Sequence, residues 1–224
     1  SDEAEATVTV EDSYLGITSL NVDGTFVIKQ ENNDERAEEG LFHKGFSLES
    51  ILEFAETVPI SSLGIIKEAV RVNMKMAEEG FSKDYGVSIG KNIKNLVESG
   101  KMSEDIANTA MMWTAAATDA RMAGCNRPVI SNTGSGNQGL ASTIPVISIA
   151  KRLDANYESM IRAVTISSLV TIYIKEKLGE LSPVCGAVIA SVGTSCGVVY
   201  LSGGKKEHMA AALQNILGDI TGMV

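Results

Sequence analysis

Aromatic residues are only 5% of the 224, and the chain holds just three cysteines and four prolines. So few rings exclude a core built on large side chains. The abundant Ala, Gly, Ser and Met instead imply close helix contacts through small residues. Three cysteines exclude a disulfide scaffold and fit a reducing, cytoplasmic compartment. Basic residues are also the minority, 19 Lys plus Arg against 28 Asp plus Glu, for a net charge of −9. Binding to nucleic acid or an anionic membrane is therefore not expected, because a phosphate-rich surface needs a basic face. No long apolar run is free of turn formers. The longest, Val184 to Leu201, is studded with Gly186, Ser191, Gly193, Thr194, Ser195 and Gly197. It reads as a buried helix of a soluble protein, not a membrane span.

What is present divides into two parts. Residues 6–30 are strand-like, with Ile17 to Asn21 and Thr25 to Lys29 flanking Val22-Asp23-Gly24, a hairpin turn signal. Residues 31–39 form an acidic polar run that reads as a solvated linker. From residue 46 onward the pattern is helical. Ser47 caps a helix through Ala55, and a second begins at Ser61 or Ser62, carries Leu63, Ile66, Val70, Met74 and Ala77 on one stripe, and ends at Gly80. Further helices are expected over 85–98, from a Ser103-Glu104-Asp105 cap to Met122, over 139–153 with a bend or break at Pro145, and over 157–178, 183–201 and 207–224. The expected fold class is α+β: a small partial β region with its linker over 1–40, then an all-helical catalytic domain over 41–224 that is incomplete at its C-terminus. Strand-like sequence begins by Ala6 and helical sequence runs to the last residue, so an internal piece of a longer protein is expected.

The most unusual segment is Ser131-Asn132-Thr133-Gly134-Ser135-Gly136-Asn137-Gln138-Gly139. It contains Gly-x-Gly-x-x-Gly, but no βαβ alternation surrounds it, and the run Pro128 to Ile130 is short for a core strand. A dinucleotide site is therefore rejected. Glycines still let a backbone approach a ligand, and a helix N-terminus attracts an anion such as a carboxylate. A polar interhelical turn with caps fits the composition equally. Upstream, Asp119 and Arg121 lie two apart on a helix and so point to different faces.

Cys185 and Cys196 are eleven apart, which on one helix separates them by about 16 Å along the axis. They cannot share a metal or form a disulfide. Taken alone, Cys125, Cys185 and Cys196 each read as a small buried hydrophobe.

The stretch Asp119-Ala120-Arg121-Met122, the glycine segment 131–139 and Thr143-Ile144-Pro145-Val146 together resemble the L-cysteine desulfidase family. That family is related to the α-chain of iron–sulfur L-serine dehydratases. Tyr173-Ile174, Leu181-Ser182-x-x-Cys185 and Gly218-Asp219-x-x-Gly222-Met223 extend the resemblance over nearly the whole chain.

The resemblance implies a lyase with a [4Fe–4S] cluster on three cysteines and one open iron that receives the substrate heteroatom. A base removes the Cα proton, and aminoacrylate hydrolyses to pyruvate and ammonia, with sulfide released from cysteine. Serine deamination is the alternative chemistry, and no pyridoxal phosphate is implied. Cys185 alone falls on a cluster position. The other two ligands are expected just beyond Val224, and a further cysteine, the proton acceptor, before Ser1. The glycine segment carries over as the site of an amino-acid substrate. Ser135, Asn137 and Gln138 stand nearest the chemistry, positioning rather than deprotonating. Ser131, Asn132, Gly134, Gly136 and Gly139 bind substrate, with Asp119 and Arg121 in or beside the contact shell. One departure is that Ser13-Tyr14-Leu15-Gly16 stands where a His-Thr turn is common in the family. A non-catalytic binding paralogue is therefore an alternative, and packing of small-residue helices leaves a homodimer open.

Overall fold

The computed structural model describes residues 4–11, 16–29, 46–179, 182 and 184–221. The architecture is α+β and mainly helical. A three-stranded antiparallel sheet, β1 (Ala6–Val10), β2 (Ile17–Val22) and β3 (Thr25–Lys29), runs in chain order. The β2–β3 turn is the expected one, with Asp23 and Gly24 both at positive φ, 50° and 82°. The acidic run 31–39 lies outside the described residues, as do Ser13, Tyr14 and Leu15.

Eight α-helices follow among the described residues: α1 (Leu48–Thr57), α2 (Gly64–Ser82), α3 (Ile89–Glu98), α4 (Ile106–Met122), α5 (Gly136–Arg152), α6 (Tyr157–Leu178), α7 (Gly186–Leu201) and α8 (Lys206–Thr221). Their starts follow cap chemistry. Ser47 and Ser50 form a reciprocal capping box on α1, Asp105 accepts from the Asn108 amide, and Asn156 accepts from the Ser159 amide. No helix among the described residues is long and apolar enough to cross a membrane.

The helix ends depart from expectation where tertiary contact overrides local signals. Gly80 does not end α2. It is buried inside the helix, and a Cβ there would collide with the Ala116 carbonyl of α4. Gly90 of α3 presses on the same residue, Ala116, so α4 is gripped by two glycines. The third helix starts at Ile89, not 85, after Ser88 adopts a left-handed conformation (φ 51°). The seventh starts at Gly186, three residues later than Pro183, which is itself outside the described residues.

The fifth helix neither breaks nor begins late: it runs without interruption from Gly136 through Pro145 to Arg152. Proline at 145 removes the N–H that would bond the Ala141 carbonyl. That carbonyl accepts instead from Thr194 Oγ1 of α7, at 2.8 Å. The orphan created by proline is thus a fixed contact between α5 and α7.

The core sits on α5 and α6. Leu140, Ile144, Val146, Ile147, Ile161 and Val164 are fully buried there. Both helices also bury Ser and Thr, whose hydroxyls bond carbonyls nearby: Thr165 to Ile161, Thr171 to Ser167, and Ser167 across to Ser142. Among the described residues no buried side-chain polar atom lacks a partner. On α7, Gly193 lies against Ser167 and Thr171, and Gly197 against Ala163 and Val146, with no room for a side chain at Gly193. These contacts, with Gly186 near Gln138 and Thr194 on Ala141, run α7 parallel to α5 and antiparallel to α6. The N-termini of α5 and α7 therefore meet at one end of the bundle.

Gly80→Ala is expected to lower stability by about 2 kcal/mol or more, because its methyl group meets backbone that cannot yield. Chemical denaturation read by circular dichroism checks it, against Gly218→Ala, where a Cβ has open space.

Candidate active site at two helix N-termini

The glycine segment is a turn followed at once by a helix. Asn132 and Ser135 exchange both backbone hydrogen bonds, at 3.1 and 3.0 Å, around Thr133 and Gly134. Those two central residues have φ of 44° and 80°, the sign pattern of a type I′ turn. For β-branched Thr133 the left-handed region is costly. Gln138 holds it there by donating from Nε2 to Thr133 Oγ1. Ser135 then caps α5, its Oγ accepting from the Gln138 amide at 3.3 Å.

This arrangement divides the expected residues. Asn132, Gln138 and Gly139 face inward. Asn132 donates to the Ser168 carbonyl at 3.1 Å, and Gln138 is 1% exposed. A Cβ on Gly139 would collide with the Ile130 carbonyl, and the Gly139 amide already bonds the Ser135 carbonyl. These three shape the turn and present no free backbone amide in its mouth. Asp119 points elsewhere, its carboxylate accepting from the Gly90 amide at 2.9 Å at the start of α3. That is the role of an N-cap supplied from a neighbouring helix. Around the mouth of the turn Ser131 and Gly134 are exposed, Ser135, Asn137 and Arg121 are partly exposed, and Gly136 is buried beneath Arg121. There the Thr133, Gly134, Gly136 and Asn137 amides have no partner among the described residues.

Arg121, in the last turn of α4, lies across Gly136. A Cβ there would stand 2.5 Å from Nε and 2.9 Å from Nη2, so a side chain at 136 would push the guanidinium aside. Its Nη1 donates to Asn137 Oδ1 at 2.8 Å. Arg71, Arg127, Arg152 and Arg162 each pair with a glutamate, namely Glu68, Glu79, Glu104 and Glu158. Arg121 is the one described arginine with no carboxylate partner. Its Nε and Nη2, packed against Gly136, have no hydrogen-bond partner among the described residues and lie beside unpaired helix amides, a donor set suited to a carboxylate.

Cys185 is exposed and occupies the N-cap position of α7, which has no side-chain cap. The next residue touches the turn: a Cβ on Gly186 would lie 2.9 Å from Gln138 Oε1 and 3.5 Å from Ser135 Oγ. Position 185 therefore precedes a residue packed against the glycine segment. Cys196, in contrast, is fully buried, and burial pushes its thiol up to about 11. Cys125 is partly buried against the core. Among the described residues no group of three or more His, Cys, Asp or Glu could hold a metal ion.

Two supports were not anticipated from sequence, and both come from α2. Asn73 bonds Ile130 and Gly139. Glu79 accepts from the Tyr85 hydroxyl at 2.7 Å and pairs with Arg127 at 2.9 Å and Lys83 at 3.2 Å. The signal for Asn73 was its place four residues from buried Ala69 and Ala77 on one helical stripe.

The chain belongs to the serine dehydratase alpha chain family, whose model matches residues 11–224. Its relatives include UPF0597 proteins of Clostridium perfringens strain ATCC 13124 (38% identical, covering 100% of this chain and 52% of the relative) and Shewanella oneidensis (40%, 100% and 53%). Another, of Bacteroides fragilis, is 41% identical over 88% of this chain and 45% of its own length. The chain thus spans about half the length of the curated relatives it matches. No solved structure matches it.

The Tyr85 hydroxyl, with Lys83 and Arg127, holds the Glu79 carboxyl down to about 2, from an ordinary 4.5. A carboxylate with a depressed folded value adds stability that is complete above about 4.5 and lost as pH falls toward 2. Glu79→Gln is expected to flatten that acid limb of a stability–pH profile, measured by denaturant midpoints.

Proposed function

We propose that the whole protein is an iron–sulfur amino-acid lyase that converts L-cysteine to pyruvate, ammonia and sulfide. The observation that carries this is the close approach of Gly186 to Ser135 and Gln138, which brings the residue after exposed Cys185 to the start of α5, where unpaired amides and Arg121 stand. Membership in the serine dehydratase alpha chain family supports the same class of chemistry. It also keeps L-serine dehydration as the second substrate reading.

The substrate carboxylate lies on the Gly136 and Asn137 amides and in the Nε/Nη2 fork of Arg121. Asn137 orients that fork through Nη1. Neutralising the carboxylate stabilises the negative charge that develops at Cα when its proton leaves. The Cα–H pair then forms the Cα=Cβ bond, the Cβ–S bond breaks, and sulfur departs with its electrons. The resulting aminoacrylate tautomerises to an imine, which water hydrolyses to pyruvate and ammonia. Residues 131–139 contain no carboxylate, histidine, lysine or cysteine, so the base belongs to another segment of the protein.

Cys185 fits as one cluster ligand. The described residues do not supply a second and third, so the full set requires cysteines outside them. When bound, such a cluster supplies a Lewis acid for the departing heteroatom.

Full-length protein purified without oxygen is expected to release sulfide and pyruvate in equal amounts from L-cysteine. An intact cluster with neither product contradicts the proposal, and pyruvate from serine alone selects the dehydratase. Arg121→Ala is expected to raise KM by roughly 10–100-fold with a smaller change in kcat, as for loss of hydrogen bonds to a charged group. Arg121→Lys should recover only part, lacking the planar fork.

A further inference from the structure

We infer that Asn73 is a positioning residue for the candidate site, setting where the 132–135 turn stands over the N-terminus of α5. This rests on reading that turn as the substrate site. Asn73 is fully buried on α2, and both ends of its amide are engaged. Its Oδ1 accepts from the Ile130 amide at 2.8 Å. Its Nδ2 faces the Ile130 carbonyl at 3.2 Å, the Gly139 carbonyl at 3.3 Å and Thr143 Oγ1 at 2.9 Å. The side chain therefore pairs with both backbone groups of Ile130, as a neighbouring strand would. The same amide reaches the first turns of α5.

Those partners lie on the two segments that must be held in register. Ile130 delivers the chain into the turn, and Gly139 and Thr143 lie just past the α5 cap. The approach is close enough that a Cβ at Gly139 would strike the Ile130 carbonyl. Asn73 makes no bond to the turn itself, to Arg121 or to Cys185. Its influence passes through Ile130. A shift there moves the free Gly134, Gly136 and Asn137 amides relative to Arg121, and misplacement by about 1 Å costs on the order of 100-fold in rate.

The test uses full-length protein carrying Asn73→Ala, Asn73→Asp or Thr143→Val. Thr143→Val removes one Asn73 partner but leaves the Ile130 clamp. The readouts are amide hydrogen exchange at Asn132 and Ser135, whose bonds Asn73 does not make, and kcat/KM with L-cysteine. For Asn73→Ala we expect exchange at those two amides roughly 10-fold faster or more and kcat/KM lower by about 100-fold, with Thr143→Val near wild type in both. Asn73→Asp keeps the volume and serves if the alanine variant does not fold. It sets a second oxygen against three oxygen acceptors, so its defect should ease as pH falls and the carboxyl regains a proton. Wild-type exchange and kcat/KM in the Asn73 variants, or equal effects from Thr143→Val, overturn the inference. If wild-type protein yields no product, the lyase reading fails, while the exchange rates at Asn132 and Ser135 still decide whether Asn73 sets the turn.

Discussion

The parallel seating of α7 beside α5, with α6 packed antiparallel against both, is the constraint from which the site follows. It depends on the absence of side chains. Gly193 and Gly197 admit the backbone and hydroxyls of α6, and Gly186 admits the side chains of Gln138 and Ser135. Two helices can run parallel at such range only if their polar backbone is satisfied. Here Thr194 bonds the carbonyl that Pro145 frees, and Ser167 bonds the Ser142 carbonyl. Small apolar and hydroxyl residues do the work that large rings do in other cores.

One electrostatic consequence is local. The chain carries a net charge of −9, yet one end of the bundle gathers two helix N-termini and an arginine without a carboxylate partner. The acidic side chain nearest in sequence, Asp119, is spent on the α3 amide of Gly90. Unpaired amides and a guanidinium without a carboxylate partner are thus gathered at the start of α5, a donor set that favours an anion. Thr133 holds an unfavourable conformation there, secured by Gln138. Strain supported from behind is common where a backbone must present its amides in a fixed direction.

Much of this was legible in the sequence because caps and turns act locally. Ser47, Asp105 and the Asp23-Gly24 turn behave as their chemistry dictates. The glycine segment stood out because only glycine and short polar residues tolerate its turns. The failures share one cause, which is contact across the fold. Gly80 looks like a helix stop and is a seat for Ala116, while Pro145 looks like a break and is repaired by a hydroxyl 49 residues away in sequence. Gly139 and Gln138, expected at the substrate, are packed into the support of the turn by contacts the local sequence does not announce. Asn73 and Glu79 carry no local signature of their distant partners. Asp119 and Arg121 do point to different faces, and only the packed structure shows which one reaches the turn.

A single site built from Cys185 and the glycine turn requires positions 135 and 185 to lie within reach of a short cross-link. Ser135→Cys, in protein whose Cys125 and Cys196 are replaced by alanine, sets a second thiol beside Gly186, the residue after Cys185. A short bifunctional thiol reagent added to the native protein should join positions 135 and 185, giving a linked peptide pair by mass spectrometry that vanishes in denaturant. Separate modification of both thiols, with no linked pair from the folded protein, would contradict the single site and the chemistry built on it.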